Sequence, residues 1–360
     1  MKRTMNAYSV RMRRLSLLAT LMVVFLHSYW MDVSATKDGS LAWWVQDIVS
    51  QAFCRSAVPY FFMVFAFWLF RDFWLINGRE SMLSWWLRKV ATRLRTVALP
   101  YVIWCLVSVC IFFVLHRIVH GQSLMPELMD FGWWGRALGI IGYPRHAFHL
   151  WFLKALVYYV ALAPIIGLAV RHFGVAVPIC SFVFGCFFTD IPYWFSNGLF
   201  FVSMGCYISS KVFGGWVVHD CRKHVAVWFI VLWCALVIIK VLATKEGICD
   251  LYGIVEIGRF RVNPMMLINA IGVVALWQIG RLPILERLDG VAMSAFFMYC
   301  IHGSLGMAVL MVLMKVPVVC ESRLVLWVLK PSLTIALSIA IWQIFRIKVP
   351  SVYRILSGGR

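Results

Sequence analysis

Apolar residues run along this chain in long blocks separated by short polar connections. A helix needs roughly 20 residues to cross about 30 Å of hydrocarbon, and blocks of that order recur near residues 15–32, 53–70, 97–116, 149–170, 174–190, 196–210, 225–243, 264–280, 291–314 and 324–345. The pattern predicts an all-α fold, a polytopic membrane helical bundle of about ten transmembrane helices. Pro192 and Gly198 interrupt the apolar region at the fifth and sixth blocks. No internal repeat or low-complexity segment divides the chain, so residues 1–360 read as a single integral membrane domain.

Composition agrees with lipid as the solvent. Of 360 residues, 62% are hydrophobic and 14% charged, with a mean hydropathy of +0.85, more apolar than a soluble surface can carry. The net charge of +19 does not point to nucleic acid, because the 34 basic residues are spread over many connections and form no binding motif. They suit the positive-inside rule: with both ends in the cytoplasm, about 21 Lys and Arg fall on that side and about 12 on the other. A multi-pass protein of the cell's inner (plasma) membrane is expected, with the lipid bilayer as a partner. The basic N-terminus leads into the first block without a small-residue cleavage site, so that block is read as a retained helix. The 11 cysteines are scattered without a C-x-x-C pair, and no His/Cys cluster has ligand spacing, so no metal is expected.

A few polar residues stand out against this background. The stretch TLMVVFLHSYW, from Thr20 to Trp30, sets His27 near the far end of an apolar run. An imidazole is costly to charge in hydrocarbon, so it reads there as either a tolerated interfacial residue or a functional one. Counted from Leu15 at 1.5 Å per residue, His27 lies roughly 18 Å in, past the midplane. The densest basic segments are RMRR, Arg11 to Arg14, and WWLRKVATRLRTVALPY, which carries Arg88, Lys89, Arg93 and Arg95. Either can anchor the inner face on anionic lipid. The long connection from Arg117 to His149 mixes His120, Glu127, Asp130, Arg136, Arg145 and His146 with Trp133, Trp134 and Tyr143, as a sugar-binding face or an interfacial aromatic belt would. It ends in HLWFL, where His149 and Trp151 enter the next helix; His302 lies inside a later apolar segment. Glu256, Arg259 and Arg261 form a charged cluster outside the eighth helix, suited to a polar acceptor or to a solvated loop.

Several stretches, taken in order, resemble the acyltransferase-3 family of integral membrane O-acyltransferases: RRLSLLATLMVVFLHS, VPYFFMVFAFWLF, RLRTVALPYVIW, HLWFLKALVYY, FFVSMGCYI and SAFFMYCIHG. The resemblance implies transfer of an acyl group, most often acetyl, from cytoplasmic acyl-CoA to a hydroxyl of a cell-surface or secreted glycan or glycolipid. It implies no tightly bound cofactor; acyl-CoA, with acetyl-CoA favoured, is the donor substrate. Such transfer needs a base, a means of stabilising the tetrahedral intermediate and a cradle for an anionic coenzyme. His27, which matches the family's first-helix histidine, is the catalytic candidate, either as base for direct attack or as carrier of the acyl group. Arg93, Arg95, Arg88 and Arg13 are the candidates for binding the coenzyme, since arginine's fork suits phosphate oxygens. His149, Trp151 and His302 are the substrate-binding candidates.

Two departures from the family pattern bear on these assignments. The family's arginine eleven residues before the histidine is Ser16 here, and Arg13, within about 40° of the His27 face of an α-helix, is the candidate replacement. The family's Ser-Gly pair in the second helix is Phe65-Ala66 here, which argues against a close backbone approach at that point. A glycan transporter or flippase, or a non-catalytic membrane scaffold, would share the composition.

Overall fold

The computed structural model describes residues 2–29, 37–76, 79–120, 131–140, 142–213 and 222–359. In chain order the helices are α1 (Lys2–Leu26), α2 (Leu41–Val49), α3 (Ala57–Leu69), α4 (Arg79–Arg93), α5 (Leu99–His120), α6 (Phe131–Ala137), α7 (Trp151–Phe173), α8 (Ala176–Phe187), α9 (Gly198–Phe213) and α10 (Lys223–Lys245). A hairpin of β1 (Val255–Ile257) and β2 (Phe260–Val262) follows, then α11 (Met265–Ile279), α12 (Ala295–Leu313), α13 (Arg323–Lys348) and α14 (Pro350–Leu356). The fold is all-α apart from that hairpin. Among the described residues, six helical segments are long and apolar enough to cross a membrane: Leu41–Leu69, Ser81–Ile118, Phe148–Phe173, Lys223–Lys245, Ala292–Leu313 and Arg323–Lys348. The other four apolar blocks fall on the shorter or more basic helices α1, α8, α9 and α11. The break expected at Pro192 and Gly198 is a single helical turn, Tyr193–Ser196, between α8 and α9.

The helices form two compact units. The first holds Met1–Val90 and Tyr159–Met293, with α3 packed on α9 as its most extensive contact. At that crossing the backbones do come close: a Cβ on Gly205 would overlap the Met63 carbonyl and lie 3.0 Å from the Ala66 Cβ. The expectation drawn from Phe65-Ala66 is therefore corrected. The small surface is shared between helices, with alanine on one and glycine on the other, while Phe65 lies about 100° around α3 from Ala66. The hairpin pairs Glu256 with Arg261 in antiparallel register, and Gly258, at φ +61°, supplies the left-handed conformation its tight turn requires. Asn263 then donates its backbone N–H to Cys186 at the end of α8, fixing where α11 begins.

The second unit holds Ala91–Tyr158 and Ser294–Arg360, and α12 against α13 is its main packing. A π-helical segment, Leu94–Ala98, leads into α5. The Trp104 indole on α5 donates to the Leu356 carbonyl of α14 at 3.0 Å, and Trp342 donates to the Tyr353 hydroxyl at 3.3 Å, so the last helix is tied at two points. Ser304 on α12 donates to Ser108 on α5 at 2.7 Å, a hydroxyl pair that suits an apolar medium with no water to serve either group. The aromatic connection expected as a sugar face turns partly inward. Trp133 is buried against Val109 and Ala137, with the His146 ring 5.5 Å away, so packing accounts for both. His120's side chain, Glu127 and Asp130 lie outside the described residues.

Candidate active site

In the first unit, α1 stops at Leu26, one residue before His27, and not near residue 32 as the apolar run suggested. The reason is local and tertiary together. A helix end exposes carbonyls that nothing along its own axis can satisfy. Here Val23 O takes the His27 N–H at 3.1 Å, Val24 O takes the Ser28 hydroxyl at 2.7 Å, and Phe25 O takes both the Ser28 N–H at 3.1 Å and the Ser50 hydroxyl at 2.7 Å. His27 thus sits half-buried on a bonded turn just past the end of α1.

Close by in the chain fold is a feature that no sequence motif marked. Gln51, next to Ser50, accepts two bonds from Arg55: Nε to its backbone carbonyl at 3.0 Å, and Nη2 to its side-chain oxygen. The guanidinium lies over the Tyr252 ring, 4.7 Å from its centroid. Arg55 walls a cavity of ≈ 230 Å³ that is also lined by Thr189, Tyr193, Asn197, Asn263 and Asn269. The amides are ordered by one another and by neighbours: Asn263 donates to Asn197 at 3.0 Å, Asn197 donates to Ser196 at 3.0 Å, and Asn269 accepts from Ser56 at 3.2 Å. Tyr193, outside the long spans, has its phenol pushed up to about 12 by burial and stays neutral, able to donate as well as accept. A second buried polar pair, Asp47 on α2 and Lys240 on α10, is 3.8 Å apart, with Lys240 also donating to the Leu251 carbonyl.

The charged cluster expected at Glu256, Arg259 and Arg261 lies on the hairpin. Arg261 bridges Asp190 at 2.5 Å and Glu256 at 3.4 Å, so its charge is already occupied in tying the hairpin to the connection after α8. Midway along α1, Arg14 makes a bidentate pair with Asp289, at 2.7 and 2.6 Å, and reaches Glu286 at 3.6 Å. Arg13 is exposed, with Nη1 3.9 Å from the Met293 sulfur. Ser16, where the family arginine would stand, donates to the Met12 carbonyl at 2.7 Å, and the Tyr60 hydroxyl donates to the same oxygen at 3.0 Å. Arg88 is exposed on α4, while its neighbour Lys89 pairs with Asp72 at 3.1 Å.

In the second unit, two of the expected residues come together. His149 occupies the short turn Phe148–Leu150 ahead of α7, and its Nε2 stands 2.9 Å from the Cys300 carbonyl. A carbonyl only accepts, so Nε2 carries the proton and Nδ1 the lone pair. His302 Nδ1 stands 2.7 Å from the Tyr299 carbonyl, which by the same reasoning leaves its lone pair on Nε2. Tyr299 also donates its hydroxyl to the His149 carbonyl. Trp151, the first residue of α7, meets Tyr143 edge to face at 6.4 Å. Arg93, half-buried, and Arg95, exposed, are two residues apart across the start of the π segment and point to opposite sides of the helix.

The site residues expected from the sequence therefore divide. His27, Arg13 and Arg88 belong to the first unit, and His149, Trp151, His302, Arg93 and Arg95 to the second. Neither a curated protein nor a solved structure matches the chain. A family model described as an acyltransferase domain does, over residues 16–343, nearly the whole length. With that match and its apolar helices, the chain belongs to the acyltransferase-3 family and is a multi-pass membrane acyltransferase.

Proposed function

We propose that the protein is an O-acyltransferase of the inner (plasma) membrane, moving an acyl group, acetyl above all, from cytoplasmic acyl-CoA to a hydroxyl of a cell-surface or secreted glycan or glycolipid. It works as one domain of about ten crossings with both ends in the cytoplasm, the shorter helices α1, α8, α9 and α11 completing the count. The observation that carries the reading is His27, held on a bonded turn at the end of α1. The imidazole takes the proton of the acceptor hydroxyl as its oxygen attacks the thioester carbonyl. The tetrahedral intermediate then expels the coenzyme as a thiolate, and the imidazolium returns the proton to that sulfur. To the phosphates of the donor we assign Arg95, Arg93, Arg88 and Arg13, and to substrate contact His149, Trp151 and His302.

Radiolabelled acetyl-CoA supplied to inside-out vesicles tests this. Label should enter glycan with the wild type and not with His27→Ala at equal protein abundance, and His27→Gln, which keeps polarity and size, should fail as well. Equal labelling by wild type and His27→Ala overturns the catalytic assignment. Glycan movement without any label would make the protein a transporter.

A further inference from the structure

Arg55 presents a physical problem that its neighbours do not solve. A guanidinium enclosed in a membrane-embedded unit is costly unless an opposite charge or a full set of acceptors compensates it. Among the described residues no carboxylate comes within ion-pair distance of it. Gln51 holds Nε and Nη2, and among the described residues Nη1 has no hydrogen-bond partner. The acidic groups in its wider field are engaged elsewhere: Asp47 faces Lys240, and Asp250 accepts the Ile254 N–H at 2.7 Å. Tyr252 covers one face of the fork, which aligns it without neutralising it.

The cavity beside it is polar in a way packing does not require. Thr189 has a buried hydroxyl with no partner among the described residues, and it lines the same space as Asn197, Asn263 and Asn269. Three amides, a hydroxyl and a phenol around one guanidinium make a set that reads vicinal hydroxyls and one oxyanion together. At ≈ 230 Å³ the space is below the usual range for drug-sized ligands and has room for about one sugar ring. The loops that build it also hold His27. Ser50 binds the last turn of α1, its neighbour Gln51 binds Arg55, and Arg55 lies within electrostatic reach of Tyr29, two residues past the histidine.

We infer that this cavity is the acceptor site and that its acceptor is an acidic sugar, whose oxyanion completes the Arg55 guanidinium at Nη1 while the amides and Thr189 take ring hydroxyls. The inference rests on the acyl-transfer reading for the word acceptor, but not for the binding itself. The bound sugar supplies a counter-charge, so the site discriminates against neutral sugars through a half-buried cation that has no carboxylate at ion-pair distance among the described residues.

Direct binding to the full-length protein in nanodiscs tests it, with glucuronate, glucose 1-phosphate and glucose as probes and saturation-transfer NMR as the readout. Glucuronate or glucose 1-phosphate should bind at least about tenfold more tightly than glucose, the fold-change expected of a charge-assisted contact. The preferred probe of the two identifies the oxyanion as carboxylate or phosphate. Arg55→Gln should remove the preference, and Thr189→Val, a near-isosteric change, should weaken the acidic sugar several-fold while leaving the thermal midpoint in place. Should Arg55→Gln fail to fold, the selectivity of the wild type and the Thr189→Val result decide. Glucose binding as well as either acidic probe, or acidic-sugar binding unchanged in Thr189→Val, overturns the inference. His27→Ala separates the two readings, because it should bind the acidic sugar like the wild type while transferring nothing. Intact binding with no transfer by the wild type would defeat only the enzymatic reading.

Discussion

The imidazoles of His149 and His302 meet edge to face with their centroids 4.6 Å apart, each fixed through one nitrogen to a backbone carbonyl of the same turn of α12. Gly303, next to His302, has its Cα against His149 Nδ1, where a Cβ would overlap the ring. The ring has little freedom to retreat, since Cys300 holds Nε2 and Tyr299 holds the backbone. Gly303→Ala should therefore destabilise the protein by about 1–3 kcal/mol. Gly306→Ala, one turn on, would meet nothing closer than Thr334 Oγ1 at 3.4 Å and should be neutral or slightly stabilising. Thermal unfolding of both variants in nanodiscs checks the opposite signs.

Ser50 is expected to act on activity through α1. Among the described residues its hydroxyl and the Ser28 N–H are the donors on the Phe25 carbonyl, and Ser50→Ala leaves the second in place. The stability loss should be modest, about 0.5–1.5 kcal/mol. Transfer should fall more than stability does, by lowering kcat with donor KM unchanged, because the lost bond orients the turn that carries His27. Cysteine at the same position, a poorer donor of similar size, should give an intermediate rate in the vesicle assay.

The Arg14–Asp289 pair predicts a pH dependence midway along α1. Bonding to Arg14 holds the Asp289 carboxyl below the usual carboxylate range. A group with a lowered folded-state pKa stabilises the fold above its unfolded value, about 3.9, and loses that effect as pH falls through the folded value. Asp289→Asn should thus lower the unfolding midpoint at pH 6 to 8, and the gap from wild type should close as pH drops below about 4. Arg14→Gln should behave alike, whereas Arg13→Gln, which acts on Asp289 only through space and whose guanidinium otherwise meets a sulfur in the described contacts, should lower stability much less. A selective rise in donor KM for Arg13→Gln would give that residue its coenzyme role, and arginine introduced at Ser16 should restore it.

Donor binding should also separate Arg93 from Arg95. They point to opposite sides of one helix, and Arg95 is the exposed member. Arg95→Gln should raise the donor KM by about 1.5–3 kcal/mol in equivalent free energy without changing acceptor use. Arg93→Gln should act more on folded yield. Equal effects on donor KM would mean that the coenzyme spans both sides of the helix. Steady-state kinetics with vesicle orientation checked in parallel distinguishes these outcomes.

The helices are legible because hydropathy is a property of one segment at a time: each of the ten apolar blocks contains a helix or a long part of one. Where they end is not. The stop at Leu26 depends on Ser50, which lies far along the chain from it, and no pattern between residues 15 and 32 announces it. The α3–α9 approach is hidden in the sequence for a similar reason, since Phe65-Ala66 lies on one helix and the partner surface, Gly205, on another. The hairpin hides in a polar connection where VEIGRFRV is too short to impose a period. Arg55 and its amides come from separate stretches, 51–55, 189–197, 252–254 and 263–269, and each alone looks like an ordinary polar residue near a helix end. His149 and His302 were singled out as isolated polar residues in apolar surroundings, and the fold brings the two together.

The termination of α1 has a consequence for how two reactants can reach one imidazole. A side chain on the wall of a packed helix is open from a single direction, with its own backbone cylinder behind it. A side chain just beyond the final turn has no cylinder beyond it, so one partner can approach along the helix axis and another from the flank. Ser28 and Ser50 make such a stop tolerable by taking over the role that water plays at the end of a soluble helix. Two hydroxyls thereby let α1 end at Leu26 and set His27 past the wall of the helix, where the backbone of α1 no longer confines its approach to one direction.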